Sequence, residues 1–69
     1  GRWQAMIGQN IRNARLEAGL SQKELAEKIG TTQPRIARWE KGEVTPNAQY
    51  LAKIAAALGK TVDEIISRQ

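Results

Sequence analysis

Apolar residues recur at helical spacing along almost the whole chain. Ile7, Ile11, Ala14 and Ala18 lie three or four positions apart and fall on one face of a first helix, which Gly19 stops. Leu25, Ala26 and Ile29 mark a second helix. Its start is set by Ser21 and Glu24, spaced as a capping box in which each side chain satisfies a free amide near the other. Gly30 ends it, as a residue free to take the left-handed conformation. A third helix turns Ile36 and Trp39 inward. Thr32 is its predicted N-cap, Pro34 lies in the first turn where its missing N–H costs nothing, and Gly42 closes it. Thr45-Pro46 reads as N-cap and first residue of a fourth helix, with Leu51, Ile54, Ala55 and Leu58 as its buried stripe and Gly59 as its stop. Thr61 and Glu64 make a second capping box ahead of Val62, Ile65 and Ile66. No segment alternates with the period of a strand. Phenylalanine is absent and alanine plentiful, so the helices can approach closely. The pattern predicts an all-α fold, a compact five-helix bundle forming a single domain over residues 1–69. Residues 1–6 are expected to be a processing remnant or a flexible lead-in.

Composition narrows the chemistry. The 69 residues include no cysteine and no histidine, which excludes zinc-finger ligand sets, Cys–His nucleophile pairs and Ser–His–Asp triads. No carboxylate pair or glycine-rich phosphate loop converges either. Glu24, Glu27, Asp63 and Glu64 read as caps and solvated charges. The expectation is a protein that is not an enzyme and needs no cofactor and no metal. No apolar run approaches the roughly 20 residues that span a bilayer, and "GRWQAMIGQN" lacks the apolar core of a signal peptide. No membrane partner is expected, and the expected location is the cytoplasm, on the nucleoid.

The formal net charge is +4, and it is unevenly placed. Residues 1–20 carry Arg2, Arg12 and Arg15 against Glu17, and residues 33–42 carry Arg35, Arg38 and Lys41 against Glu40, so that each segment has net charge +2. The rest of the chain is balanced. A small domain often carries such a charge for solubility alone, but its concentration on two segments favours an anionic partner there.

The second and third helices are joined by a minimal turn. Ala26, four residues before Gly30, is small enough for the two helices to cross at close range, and Leu25, Ile29, Ile36 and Trp39 build the corner. These are the requirements of a helix-turn-helix. Residues 22–41, "QKELAEKIGTTQPRIARWEK", resemble the helix-turn-helix of the phage repressor and Cro family, often called the XRE family. "IRNARLEAGLSQKELAEKIG" is similar to that family's first two helices and "LAKIAAALG" to its fourth, so the resemblance runs from Ile7 to Ile66. It implies a lambda repressor-like DNA-binding domain. Two positions depart from the pattern. Pro34 has no side-chain donor or acceptor, where a member with a polar residue could hydrogen-bond a base, and Thr31 stands where a more apolar residue is common.

With Ile36 and Trp39 turned to the core, Gln33, Pro34, Arg35 and Arg38 point out on a helix that fits the major groove, about 12 Å wide. The amide of Gln33 suits adenine N6 and N7. Arg35 or Arg38 suits guanine O6 and N7, a pairing worth about 1–3 kcal/mol of discrimination, and Pro34 suits a thymine methyl. On most surface helices such residues only face solvent. Phosphate contacts are expected at helix N-termini, where free N–H groups and the dipole favour an anion. Ser21 and Gln22 start the second helix, and the resemblance places Gln22 on the DNA backbone. Thr32 starts the third, and Lys41, Thr45 and Asn47 form a second clamp. Ser21, Thr32 and Thr45 are caps first. Arg15 lies four residues after Ile11, and Glu40 four after Ile36, both on apolar faces. An unpaired charge there is costly, so the two are expected to pair, and the resemblance implies a structural ion pair at these positions.

The resemblance implies sequence-specific binding of double-stranded DNA by a transcriptional repressor or regulator, as a homodimer on a palindromic site with half-sites one helical turn apart, about 34 Å. By resemblance only, the dimer surface is expected in the fourth and fifth helices and the C-terminal tail. A second reading keeps the fold but takes a partner protein. "GEVTPNAQYLAKI" resembles the multiprotein bridging factor coactivators, and Pro34 and the modest charge suit an interaction module. An antitoxin or a restriction–modification controller would also use such a domain.

Overall fold

Backbone amides left free at a helix start must find an acceptor, and here the sequence supplies one at three of the helices. In the computed structural model, which describes residues 2–67, the helices are α1 (Arg2–Glu17), α2 (Gln22–Ile29), α3 (Gln33–Lys41), α4 (Ala48–Leu58) and α5 (Val62–Ile66). No strand occurs among the described residues. Ser21 Oγ accepts from the Glu24 amide while the Glu24 carboxylate accepts from the Ser21 amide, and Thr61 and Glu64 repeat the arrangement at α5. Of residues 1–6, expected as a remnant or lead-in, Arg2–Met6 are instead the start of α1, and Gly1 lies outside the described residues.

Three local expectations need correction. The fourth helix begins at Ala48, two residues later than Thr45-Pro46 suggests, because the extended Asn47 takes the cap and its Oδ1 accepts from the Tyr50 amide at 2.9 Å. Pro46 then precedes the cap and is buried. Thr32 has the extended backbone of an N-cap, but its hydroxyl makes no cap hydrogen bond. Pro34 removes the donor at N2, and the Arg35 amide donates instead to the Thr32 carbonyl at 3.2 Å. Ala18 is exposed, because α1 ends at Glu17 and the chain turns at Gly19, bringing Leu20 onto the core instead.

Ile7, Ile11, Leu25, Ile36, Ile54 and Ile65 form the centre, each no more than 2% exposed. Leu51, Val62 and Ile66 pack at its margin. α1 lies between α3 and α5, while α2 bridges α3 and α4. At about 1.5 Å per residue α1 is ~24 Å long, nearly the longest dimension of the molecule, 27 Å. A Cβ at Gly8 would lie 2.2 Å from the Trp39 carbonyl oxygen and 2.7 Å from that of Glu40, so only glycine lets α1 approach α3 this closely. Two residues further along α1, buried Asn10 donates from Nδ2 to the carbonyls of Ile65 and Ser67, both at 2.7 Å, and ties down the end of α5. No helix among the described residues is long and apolar enough to cross a membrane.

Candidate nucleic-acid interface

Gly30, at φ 75°, turns the chain from α2 into α3, and the Thr31 amide closes the turn on the Ala26 carbonyl at 2.9 Å. Thr31 fills a place that suits an apolar side chain: its Oγ1 is buried and has no hydrogen-bond partner among the described residues. From this corner α3 sends Ile36 and Trp39 into the core. The opposite face presents Gln33, Pro34, Arg35, Arg38 and Lys41, all exposed.

The inner edge of α3 is anchored by charge. Arg15 donates from Nε to Glu40 Oε2 at 2.6 Å and from Nη2 to Oε1 at 3.0 Å, and its Nη1 donates to the Leu20 carbonyl at 2.8 Å. Both residues are buried. The hydrogen bonds to Glu40 push the guanidinium pKa further up, against the smaller opposing effect of burial. Glu40 Oε1 also accepts from Gln22 Nε2 at 3.0 Å, and Gln22 Oε1 accepts from Gln33 Nε2 at 2.7 Å. A continuous chain of hydrogen bonds therefore runs from Arg15 of α1 to the first residue of α3. Gln33 keeps its carbonyl oxygen and one N–H for other partners.

The remaining candidate residues flank this face. Ser21 and Asn47 are exposed and engaged as caps through their oxygens. The Asn47 amide nitrogen makes no hydrogen bond to a described residue. Thr32 is exposed, while Gln22 and Thr45 are half-buried. Arg35 and Arg38 differ. Arg38 has no side-chain partner among the described residues, whereas Arg35 lies over two rings, 4.9 Å from the centroid of Tyr50 and 5.6 Å from that of Trp39. Its Nη1 donates to the Tyr50 hydroxyl at 3.4 Å. Tyr50 is in turn tilted against Trp39, with centroids 5.2 Å apart, and Lys53 stands 5.5 Å from the Tyr50 ring. Sequence reasoning missed Tyr50 and Lys53. Tyr50 precedes Ile54 by one turn and reads as a core margin, and nothing local links it to Arg35.

A family model described as helix-turn-helix matches residues 11–65. The chain belongs to the helix-turn-helix family. It is 47% identical over 49 residues to an uncharacterized HTH-type transcriptional regulator of Haemophilus influenzae, an alignment covering 71% of this chain and 50% of that protein. It is 45% identical over 53 residues to multiprotein-bridging factor 1 of Candida albicans, covering 77% of this chain and 35% of that one. The chain thus spans half the length of the Haemophilus regulator and a smaller part of the bridging factor. Among solved structures, the P22 c2 repressor in complex with synthetic operator 9T superposes with a TM-score of 0.86 at 27% identity, covering 90% of this chain and 94% of that chain.

Proposed function

We propose that this helix-turn-helix domain regulates transcription, as a repressor, by laying α3 in the major groove of double-stranded DNA and reading its sequence. The observation that carries this is the division of α3: Ile36 and Trp39 are buried while Gln33, Pro34, Arg35 and Arg38 stand exposed on the opposite side. Those four meet the duplex. Gln33 enters already oriented by Gln22, so little side-chain freedom is lost on contact. Ser21, Gln22 and Thr32 at the starts of α2 and α3, with Lys41, Thr45 and Asn47 beyond α3, meet phosphates on either side. The buried Arg15–Glu40 pair holds α3 in register with α1. The protein acts as a homodimer on a palindromic site, in the cytoplasm and on the nucleoid, as a binding module and not as an enzyme. The likeness to a repressor held on its operator supports this reading.

A second reading, a module that bridges partner proteins, is favoured by the likeness to the bridging factor and by Pro34, which offers a base no hydrogen bond. The two readings separate by selection of bound sites from random duplex DNA, with affinity followed against salt. A groove binder enriches a palindromic sequence and loses affinity steeply as salt rises. Failure to enrich any site at low salt overturns the DNA reading in favour of the bridging one.

A further inference from the structure

Arg35 and Arg38 sit on the same exposed helix face but are held differently, and we infer that Tyr50 is a positioning residue that assigns Arg35 to the DNA backbone and leaves base reading to Arg38. The inference rests on the groove-binding reading above. Base edges form the floor of the major groove, and phosphates line its walls. A side chain pointing straight out from an inserted helix meets the floor, while one leaning sideways meets a wall. Arg38 is exposed and unpartnered among the described residues. Arg35 leans toward α4, its guanidinium 4.9 Å from the Tyr50 ring centroid and 5.6 Å from that of Trp39, with the hydroxyl of Tyr50 accepting from Nη1 at 3.4 Å.

The rings fix the direction of that lean. Trp39 is in the core and cannot move aside, and Tyr50 is tilted 50° against it, so together they make a two-walled aromatic seat. A guanidinium is planar, weakly hydrated and well suited to stacking on such faces while its edge N–H groups stay free. Lys53 comes within 5.5 Å of the same ring. Two cations sharing one ring repel, and an incoming phosphate relieves that repulsion. The seated arginine is thus poised for an anion at the edge of the interface.

The test compares affinity for the selected duplex and for a scrambled one, across salt, with melting temperature recorded for every variant. Arg35→Ala is expected to weaken both duplexes by the same factor and to lower the slope of log affinity against log salt by about one. Arg38→Ala is expected to relax preference at one base pair. Tyr50→Leu should weaken both duplexes by about two- to fivefold, the worth of an exposed cation–π contact, and add nothing in an Arg35→Ala background. Tyr50→Phe keeps the ring and should stay close to the parent. The ring-current shift of the Arg35 side-chain protons in the free protein, retained in Tyr50→Phe and reduced in Tyr50→Leu, where only Trp39 remains, reads the seat without DNA. A merely structural Tyr50 would cost as much in the Arg35→Ala background as in the parent, and that result overturns the inference. So does an Arg35→Ala variant that relaxes preference at one base pair with its salt slope unchanged, even if Tyr50→Leu fails to fold. A parent that binds no duplex at low salt overturns the groove-binding reading itself, and the inference with it.

Discussion

Gly8 of α1 faces the carbonyl oxygen of Trp39 so closely that a methyl group on its Cα would lie 2.2 Å from that atom. The helix that carries the outward-facing side chains is thus braced against a glycine in the middle of α1. Alanine has the better helix propensity by about 1 kcal/mol, but the neighbours it would meet are backbone atoms that cannot rotate away. Overpacking costs about 1–3 kcal/mol and sometimes more. Gly8→Ala is therefore expected to lower the melting temperature, at roughly 4–8 °C per kcal/mol for a domain of this size. Thermal denaturation followed by circular dichroism checks it, and a raised melting temperature would contradict the close approach.

Glu40→Ala leaves the guanidinium of Arg15 buried without its counter-ion. Removing one partner of a buried pair costs about 3–5 kcal/mol, a large share of the ~3–10 kcal/mol expected for a chain of this length. The melting temperature should fall by more than about 10 °C. Replacing both partners with leucine should be milder than either single change, because no charge is then stranded. A melting temperature unchanged in Glu40→Ala would remove the pair from the account of how α3 is held.

Thr31→Val exchanges a buried, unpartnered hydroxyl for a methyl of similar shape. Leaving such a group unsatisfied costs about 1–3 kcal/mol. The substitution is expected to raise the melting temperature by several degrees. Equal or lower stability would show that the hydroxyl has a partner in solution.

The capping boxes predict the acid limb of stability. The Ser21 backbone amide, with its hydroxyl, holds the Glu24 carboxyl below the ordinary carboxylate range, and Thr61 does the same for Glu64. A carboxylate depressed in the folded state stabilises it above the unfolded value, about 4.3, and that contribution is lost as pH falls through the folded value. The chain has no histidine to titrate between pH 5 and 8. Stability should stay level from neutrality to about pH 5 and then decline. Glutamine at both positions keeps the capping geometry without the charge, so Glu24→Gln/Glu64→Gln should show a shallower decline. An identical decline would assign acid sensitivity to other carboxylates.

What the sequence disclosed was local or periodic. Ser21 with Glu24, Thr61 with Glu64, and the glycines that end α2, α3 and α4 signal within one turn, and the inward phase of Ile36 and Trp39 follows from their spacing. At the start of α4, Thr45-Pro46 and Asn47 both read as competent caps, and the hydrogen bond from the Tyr50 amide to Asn47 Oδ1 decides between them. The non-local contacts left no such mark. A glycine within a helix does not say which backbone it touches, so the brace at Gly8 stayed hidden, as did Asn10 reaching 55 residues along the chain to Ile65. Arg15 and Glu40 were legible as a pair because two charges on apolar faces need one another. Arg35 and Tyr50 were not, since Arg35 reads only as an outward-facing candidate for DNA and Tyr50 as a margin residue until α4 is placed beside α3.

The most direct test of the central claim is the base preference of the face opposite Ile36 and Trp39. Binding of the parent, Gln33→Ala and Arg38→Ala is measured against the selected duplex and every single-base-pair variant of it. Each substitution is expected to flatten preference at its own base pair, by about 1–3 kcal/mol for the arginine, while melting temperatures stay near the parent's. Preference profiles that remain the same in both variants would contradict the account.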